Sequence, residues 1–367
     1  MSETLYLLPA PGSIGASDHT ALTRLALGRR LATLLGHRLG GEHDACASPP
    51  AGACYFIPAD TLLAQTADSL GIRDDRDLFG GVVPHAFMAT KTITHPVIGP
   101  DARVPDGWSR ELWRLMGDAV LPGYSAFAPD DVREAGRRLL RRGSVRLKLA
   151  NGIGGSGQST ADDVDQLDGA IAAIDPGDVH RHGVVVELNL DAPVTYSIGR
   201  LTVGEWSLAY HGTQHTTTDH RGAEVYGGSD LHVVRGGFDA LLAQDLSPAE
   251  RLAIEYAMRY DDAVSRAYPG FFASRRNYDV VAGTNGDGTR HCGVLEQSWR
   301  IGGASPAEIA ALEAFVREPA LRSVRASCNE RYSDAPSPPG ATEHYRGDDG
   351  EVGMLCKYSL VTERHTA

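Results

Sequence analysis

The segment from Asp279 to Arg300, DVVAGTNGDGTRHCGVLEQSWR, decides how the rest of the chain is interpreted. Two short apolar runs, Val280-Val281 and Val294-Leu295, flank the polar, glycine-rich turn TNGDG, and this pattern predicts a β-hairpin. Because a hairpin lays its arms side by side, Asp279 on the first arm can meet Glu296 on the second. Two converging carboxylates suit a hard divalent cation such as Mg2+, which binds oxygen ligands and shares them with nucleotide phosphates. Taken alone, the segment fits two exposed charges on a surface hairpin equally well.

The composition indicates a globular protein with no nucleic-acid partner. The chain has 367 residues, of which 42% are hydrophobic and 22% charged, enough for two or three modules with a hydrophobic core. A formal net charge of −12 argues against nucleic-acid binding, because phosphate backbones are bound by basic surfaces. The five cysteines, an odd number without a C-x-x-C pair, fit a reducing compartment. No secretion leader and no bilayer-length apolar run are visible, so we expect a soluble cytoplasmic protein with no membrane partner.

Residues 1–90 carry the pattern of a small parallel α/β domain. An apolar strand at residues 4–9 precedes the turn PGSIG and an amphipathic helix from about Ser17 to Leu35, which Ser17 or Asp18 can cap and Gly36 can end. A second strand at residues 54–58 precedes a helix through Leu62, Leu63 and Leu70. The turn PGSIG, lying before a helix N-terminus, could bind an anion. A plain tight turn is favoured, because no second motif supports the anion site.

The stretch SVRLKLANGIGGSGQ, residues 144–158, is the second informative feature. After a helix near residues 130–142, apolar residues alternate with Arg146 and Lys148, the period of a half-buried strand. Four glycines then fall between residues 152 and 157, and such a loop can turn backbone N–H groups toward phosphate oxygens. Lys148 would add positive charge at the end of the strand.

A dinucleotide-binding fingerprint is the main alternative for this loop, because residues 152, 154 and 157 fit G-x-G-x-x-G. That fold requires an apolar, doubly buried strand before the glycines and a helix that begins within them. Here the strand carries two cations, and the polar run QSTADD separates the glycines from the next helix, at about Asp163 to Ile174. We therefore reject the dinucleotide interpretation. A Walker-type G-x-x-x-x-G-K-[ST] motif is also absent from the sequence.

The remainder alternates between strands and capped helices. An apolar strand at residues 183–190 has Glu187 and Asn189 near its end, and an antiparallel pair of strands follows it. We expect residues 211–237 to form a long substrate loop; the histidine spacing there, His211, His215, His220 and His232, matches no standard zinc pattern. Two helices begin with S-P-x-E capping motifs, at Ser247 and at Ser305. A surface loop at residues 333–350 precedes a final strand near residues 353–361.

The order of these features resembles the ATP-grasp superfamily over about residues 91–303, and within it a bacterial family of unassigned function. The resemblance implies a fold of α/β and α+β class, in which a small parallel α/β N-terminal domain is followed by a two-lobed ATP-grasp fold with antiparallel sheets. It assigns residues 1–90 to the first domain and 91–330 to the ATP-grasp domain, with a mobile lid lobe at about 120–186. Residues 331–367 would form a C-terminal loop and the final strand.

The resemblance also implies ATP and Mg2+ as cofactors and identifies residues that would bind them. The residues similar to nucleotide ligands of the family are Lys91, Lys148, Gly154, Gly155, Ser156, Gly157, Glu187, Asn189 and Leu190. Asp279 and Glu296 are similar to the two magnesium carboxylates, with Ser298 as a third ligand. EQSWRIGG, which begins at Glu296, resembles the family's E-x-N-x-R-x-x-G, so Arg300 takes the position of the arginine that stabilises a phosphate or an acyl-phosphate. Arg300 and Lys148 are the expected catalytic residues.

The chain departs from the family pattern at three points. Ser298 stands where the family has a metal-binding asparagine, and serine is a weaker but workable oxygen ligand. Leu149 replaces the proline that commonly follows the strand lysine. The ribose-binding carboxylate has no clear equivalent beyond Asp191 or nearby Thr195. Nucleotide binding is therefore expected, while the metal geometry stays open.

The function implied by the resemblance is an ADP-forming ligase that activates a small-molecule carboxylate for attack by an amine or a thiol. A small-molecule kinase and a non-catalytic nucleotide-binding regulatory protein remain as alternatives. The expected substrate-binding residues are Arg275, Arg276, Tyr226, Ser229 and Arg235. Dimers are common among the proteins that it resembles, so a homodimer is an open alternative to a monomer.

Overall fold

A computed structural model describes residues 3–16, 18–150, 152 and 157–366 of the chain. In chain order, the strands of this part are β1 (Thr4–Leu8), β2 (Arg38–Glu42), β3 (Cys54–Pro58), β4 (Leu62–Leu63), β5 (Gly81–Val83), β6 (Gly123–Ala126), β7 (Val145–Leu149), β8 (Gln158–Ala161), β9 (Val184–Leu188), β10 (Asp191–Val203), β11 (Trp206–Thr218), β12 (Glu224–Arg235), β13 (Phe272–Ala273), β14 (Arg275–Thr284), β15 (Arg290–Ser298), β16 (Leu321–Arg331), β17 (Thr342–Asp349) and β18 (Gly353–Thr366). The α-helices are α1 (His19–Leu35), α2 (Ala64–Leu70), α3 (Leu112–Met116), α4 (Pro129–Leu140), α5 (Val164–Ala172), α6 (Pro176–His182), α7 (Phe238–Leu242), α8 (Pro248–Ala267) and α9 (Ser305–Arg317). Residues Ala86–Ala89 and Lys91–Thr94 form 3-10 helices.

The N-terminal part is a small parallel sheet with the order β2-β1-β3. Helix α1 begins as predicted at Asp18, whose side chain accepts hydrogen bonds from the backbone N–H groups of Thr20 and Ala21, and it ends at Gly36 with φ 67°. The close approach of α1 to the sheet depends on Gly28, where a Cβ atom would lie 2.7 Å from the side chain of Leu7. The parallel α/β prediction is confirmed. Strand β2, RLGGE, escaped prediction because it is polar and glycine-rich.

A second sheet, β6-β9-β7-β8, is antiparallel throughout and is packed on α4 and α5. Its core is aliphatic, with Val145, Leu147, Val184 and Val186 at most 1% exposed. The predicted strand Val145–Leu149 is confirmed, and α5 begins after Asp163, whose side chain caps it. Helix α6 was not predicted, because its sequence PGDVHRH has almost no apolar periodicity.

The largest sheet has eight antiparallel strands in the order β15-β14-β10-β11-β12-β16-β18-β17. Its outermost hairpin, β14–β15, is the predicted Asp279–Arg300 hairpin, and Asp279 pairs directly with Glu296. One face is covered by α8, whose predicted capping box at Ser247 and Glu250 is present. The fold class predicted from the sequence is therefore confirmed: a small parallel α/β unit followed by two antiparallel sheets.

Three predictions about the second half of the chain need correction. Residues 211–237 are not a loop: they form the outer half of β11 and all of β12, whose polar residues alternate on the exposed parts of a long hairpin. Residues 342–349 form β17 within the predicted surface loop. The predicted boundaries at 186 and 330 fall within β9 and β16.

A short third sheet joins the N-terminal part to the large sheet. Strand β13 is antiparallel to β5, and β5 is parallel to β4, so residues 272–273 lie against residues 81–82. The backbone N–H of Ser274 donates to the carbonyl of Gly80, and the N–H of Gly80 donates back to the Ser274 hydroxyl. The start of β14 is thereby fixed against the N-terminal part.

Two further observations concern the cysteines and the length of the helices. All five cysteines lie in the described residues, and none of them forms a disulfide. No α-helix of the described residues is long and apolar enough to cross a membrane.

Candidate active site

The carboxylate pair of the β14–β15 hairpin is the centre of the candidate site. Asp279 and Glu296 are register partners, at a place where the pairing shifts by one residue because of a bulge in β15. Burial and the negative charge of Glu296 together raise the pKa of Asp279. The Nε2 atom of Gln214, on β11, donates a hydrogen bond of 2.7 Å to Asp279 Oδ1. The side chain of Glu296 is 36% exposed, so the pair opens toward solvent on one side.

Lys91 connects this pair to the glycine loop. Its Nζ atom lies 2.7 Å from Glu296 Oε2 and donates a 2.9 Å hydrogen bond to the carbonyl of Gly152. The side chain is only 6% exposed, because it lies in the 3-10 helix Lys91–Thr94, which packs against β15. The structure therefore brings Lys91 beside the carboxylates and the start of the glycine loop.

A buried charge cluster faces the pair from the four-stranded sheet. Lys148 Nζ lies 2.5 Å from Glu187 Oε1, and His95 Nε2 lies 3.0 Å from Glu187 Oε2. Burial raises the pKa of Glu187, but the charge of Lys148 and the hydrogen bond from His95 outweigh it and lower the pKa below the ordinary value. The positive charge of Lys148 also acts to lower the pKa of Asp279. The Lys148–Glu187 cluster therefore lies within electrostatic range of the Asp279–Glu296 pair.

The connection between the two antiparallel sheets contains Asn189 and Leu190, two of the predicted nucleotide-binding residues. The side chain of Asn189 is held by Arg146, whose Nη2 donates 2.7 Å to Asn189 Oδ1. Leu190 is buried in a small apolar cluster with Leu121 and Val281, and Leu295 packs against it. Ala192, just beyond, has a φ of 44°, which an alanine adopts only under constraint. This apolar floor next to the charged clusters suits a flat, apolar ring.

The predicted glycine lid loop is described only at its ends. Gly154, Gly155 and Ser156 lie outside the described residues. At the base of the loop, the N–H of Leu149 donates a 2.9 Å hydrogen bond to the carbonyl of Gly157, which has a φ of 66°. A side chain at Gly157 would be strained by this backbone conformation.

Arg275 proves to be a buried structural residue, contrary to its prediction as a substrate ligand. Its guanidinium forms a bidentate ion pair with Glu308 of α9, 2.7 Å at the shortest contact, and the two side chains are 1% and 0% exposed. Its Nη1 also donates to the hydroxyl of Ser298 and to the carbonyl of Arg300. Arg275 thus holds the segment that follows the carboxylate pair, and it turns the Ser298 hydroxyl toward itself.

Two other predicted substrate ligands lie apart from the carboxylates. Arg276 points to the opposite face of β14, where its Nη1 lies 2.6 Å from Asp261 of α8. Arg235 lies at the far end of β12 from Tyr226, with its guanidinium over the rings of Trp206 and Phe315. Both arginines were grouped with the site because sequence proximity does not distinguish the faces or the ends of a strand.

Tyr226 and Ser229 lie together, close to Gly303, whereas the Arg300 side chain contacts the N-terminal part. The hydroxyl groups of Tyr226 and Ser229 are 2.7 Å apart, and a Cβ atom at Gly303 would lie 2.8 Å from the ring of Tyr226. Arg300 Nη1 donates to the carbonyl of Ala59, and Arg300 Nε lies 3.6 Å from Asp60 Oδ1. The arginine therefore extends from the hairpin toward the N-terminal sheet, and its side chain remains 28% exposed.

The histidines of β11 and β12 do not form a zinc site in the described residues. The rings of His211 and His232 lie 5.4 Å apart, whereas His215 is nearest Asp230. No group of three or more His, Cys, Asp or Glu residues suited to a metal ion occurs in the described part of the chain. Burial, the largest cause, and neighbouring positive charge lower the pKa of His232 to about 4.

The donor set fits one Mg2+ ion better than two. Asp279 and Glu296 supply two facing carboxylates, and Mg2+ commonly binds one or two carboxylates together with substrate phosphates. Burial, the largest cause, and the negative charge of Glu296 raise the pKa of Asp279, and a bound cation would offset both effects. Ser298 would be the third ligand, but its hydroxyl accepts a hydrogen bond from the cationic Arg275.

Sequence reasoning missed four residues that complete this site. His95 and Gln214 contact Glu187 and Asp279, respectively. Asn277 donates to the hydroxyls of Ser197 and Tyr210 below the carboxylates. Glu308 belongs to the S-P-x-E motif at Ser305, which predicts a capped helix, but α9 has no side-chain cap and Glu308 pairs with Arg275. The alternation of Arg275, Asn277 and Asp279 on β14 was a signal, because residues at i, i+2 and i+4 share one face.

Fold and site together define a two-lobed protein in which two lysines and three carboxylates meet between a four-stranded and an eight-stranded antiparallel sheet. The chain belongs to the family described as "Protein of unknown function (DUF3182)", whose sequence profile matches residues 9–359. No curated protein is similar to it in sequence at a significant level.

The fold can also be compared with solved structures, all of low sequence identity. D-alanyl-alanine synthetase A from Vibrio cholerae O1 biovar eltor is 12% identical, with 83% of this chain and 91% of that chain covered, at a TM-score of 0.43. D-cycloserine synthetase is 12% identical, with 82% of this chain and 92% of that chain covered, at a TM-score of 0.42. Phosphoribosylamine–glycine ligase from Thermotoga maritima is 13% identical, with 98% of this chain and 90% of that chain covered, at a TM-score of 0.49.

Proposed function

We propose that this protein is an ATP-dependent ligase that activates a small-molecule carboxylate as an acyl-phosphate and releases ADP and phosphate. One observation carries the proposal: Lys91 joins Glu296 of the carboxylate pair to the carbonyl of Gly152 at the start of the glycine loop. A lysine, a carboxylate pair and a glycine loop at one place are the parts that phosphoryl transfer requires.

In this proposal the nucleotide lies between the two antiparallel sheets. Lys91 and Lys148 would neutralise its phosphates, and Gly154, Gly155, Ser156 and Gly157 would offer backbone N–H groups to them. Glu187 supports this role indirectly, because it holds Lys148 in place. The backbone of Asn189 and Leu190 would bind adenine, above the apolar floor that Leu121 and Val281 form.

Asp279 and Glu296 would hold Mg2+, with Ser298 a poor third ligand because Arg275 occupies its hydroxyl. When bound, the ion supplies charge neutralisation at the phosphates. Arg300, which is partly exposed beside the N-terminal sheet, would stabilise the reacting phosphate or acyl-phosphate. The substrate carboxylate attacks the γ-phosphate, ADP leaves, and an amine or a thiol then displaces phosphate from the acyl-phosphate.

A non-catalytic nucleotide-binding regulatory protein is the second candidate, and the Arg275–Ser298 contact favours it. A guanidinium beside the third ligand position repels a cation there and weakens metal-dependent catalysis. A small-molecule kinase on the same fold is a further alternative, distinguished by a stable phosphorylated product that forms without a nucleophile. For each of these functions we also propose that the protein is cytoplasmic. A homodimer remains a prediction.

The experiment is incubation of the purified chain with ATP, Mg2+ and a panel of small acids, with and without amines and thiols. The ligase proposal expects ADP and phosphate, with turnover that depends on both an acid and a nucleophile. AMP and pyrophosphate would contradict the acyl-phosphate mechanism. Nucleotide binding without turnover on any acid would favour the regulatory protein, and the Glu296→Gln variant is the control for contaminating ATPase activity.

A further inference from the structure

A buried arginine at the edge of the parallel sheet has no role in the chemistry above. Arg24 lies on the sheet-facing side of α1 and is only 7% exposed. Its Nε atom has no hydrogen-bond partner among the described residues. Burial lowers the pKa of Arg24, as expected for a cation removed from water. Arg24 forms no close ion pair with the described residues, and a buried cation without a close counter-ion is costly, so its presence calls for a partner of opposite charge.

The position of Arg24 is one where α/β proteins bind ligands. Strands β1, β2 and β3 are parallel, and ligands bind outside the carboxyl ends of such strands. Arg24 lies in the second turn of α1, which follows the carboxyl end of β1, and its charge is within electrostatic range of Glu42 at the end of β2 and of Asp60 just after β3. The turn PGSIG leads from β1 into α1, whose N-terminus favours an anion.

Two carboxylates near Arg24 accept hydrogen bonds from backbone N–H groups, and a third lies near Arg300. Asp18 Oδ1 accepts from the N–H groups of Thr20 and Ala21, at 2.8 and 2.9 Å. Glu42 Oε2 accepts from the N–H of Gly15 at 2.6 Å. Asp60 lies nearest Arg300, which also has a repulsive effect on Arg24. The two arginines therefore face one region in which the nearby acids are already engaged.

We propose that Arg24 binds an oxyanion, a carboxylate or a phosphate group, of the small-molecule substrate at the carboxyl edge of β1, β2 and β3. The inference rests on the proposed function, because Arg300 beside this region is assigned to the reacting group. The oxyanion at Arg24 is then a second acidic group, separate from the carboxylate that is activated. The substrate class is a small acid that carries two anionic groups.

The test uses thermal unfolding of the full chain, with inorganic phosphate and with succinate as probes, without nucleotide or Mg2+. Arg24→Met removes the charge at similar volume, and Arg29→Met is the matched control, because Arg29 is exposed on the same helix. Without anion, Arg24→Met should unfold at the wild-type temperature or above it, since it removes an unpaired buried charge. Added anion should raise the unfolding temperature of wild type and of Arg29→Met, but not that of Arg24→Met. The more effective probe identifies the oxyanion.

The same series in a Lys148→Ala background separates this site from the nucleotide phosphates. The anion-induced rise in unfolding temperature should persist in the Lys148→Ala background. Calorimetry should show an anion affinity for Arg24→Met that is weaker by roughly tenfold or more. The proposal is overturned if Arg24→Met unfolds below wild type and keeps the anion response, or if neither probe affects wild type. If added anion raises the unfolding temperature in an Arg24-dependent way but the chain binds no ATP analogue, the proposed function is wrong and the anion site at Arg24 remains supported.

Discussion

Lys148 Nζ lies 2.5 Å from Glu187 Oε1, and neither side chain is more than 4% exposed. The two residues are diagonal neighbours on adjacent strands, because Lys148 pairs with Val185 while Arg146 pairs with Glu187. The contact fixes the lysine at the base of the glycine loop before any ligand is present. A cation positioned in advance needs no reorganisation when phosphates arrive, which is the condition for effective electrostatic stabilisation.

The first prediction concerns this pair. Glu187→Gln leaves Lys148 buried without a counter-charge, so we expect a loss of about 3–5 kcal/mol in the free energy of unfolding. Binding of a nonhydrolysable ATP analogue should weaken as well, because the lysine is no longer fixed. Urea denaturation and calorimetry measure the two effects. The control is Glu134→Gln, which removes an exposed i,i+4 pair with Arg138 and should cost less than about 0.5 kcal/mol. Equal losses in both variants would contradict the assignment.

The same pair predicts a dependence of stability on pH. Because the folded-state pKa of Glu187 is lowered below its ordinary value, the contribution of the ionised carboxylate is present at neutral pH. It is lost as the pH falls through the folded-state pKa, since the protonated group no longer pairs with Lys148. The difference in unfolding free energy between wild type and Glu187→Gln should therefore shrink on acidification below about 4. A difference that grows on acidification would be incompatible with this sign.

The carboxylate pair of the β14–β15 hairpin predicts a metal-dependent effect on ATP turnover. Glu296→Gln removes one carboxylate and the partner of Lys91. We expect Mg2+-dependent turnover of ATP to fall roughly a hundredfold or more, the range for loss of one electrostatic contact in an active site. Nucleotide binding measured in EDTA should change much less. Asp287→Asn, in the exposed turn of the same hairpin, is the matched control. A similar loss in both variants would point to damage to the hairpin instead.

The buried pair Arg275–Glu308 predicts a purely structural coupling. Glu308→Gln leaves the guanidinium unpaired and should lower the free energy of unfolding by about 3–5 kcal/mol. The double variant Arg275→Met/Glu308→Leu should recover most of that loss, because an apolar pair of similar volume carries no desolvation penalty. Denaturation of the single and double variants forms the cycle, with the exposed Arg364–Glu318 pair as a reference near zero. Losses that simply add would mean that the pair is not coupled.

The sequence predicted those parts of the site that local patterns encode. The Asp279–Glu296 hairpin and the Lys148 strand follow from two-residue periodicity and turn composition, and both are present. The contacts of His95 and Gln214 were not predictable, because they join segments that are distant in the chain. Arg275 and Arg276 show the limit most clearly. Adjacent in sequence, they face opposite sides of β14, one toward Glu308 and the other toward Asp261.

The last prediction concerns Ser298, where the chain departs from the metal-binding asparagine. Its hydroxyl accepts a 3.2 Å hydrogen bond from Arg275 Nη1, and this contact orients the hydroxyl toward the guanidinium. Ser298→Ala should therefore leave the Mg2+ concentration for half-maximal ATP turnover within about threefold of wild type, because at most one neutral hydrogen bond is lost. A titration of turnover against Mg2+ measures this, with Asp279→Asn as the variant that must raise the requirement. If Ser298→Ala raises it as strongly as Asp279→Asn does, the serine is a metal ligand, and the Arg275 contact must break when the ion binds.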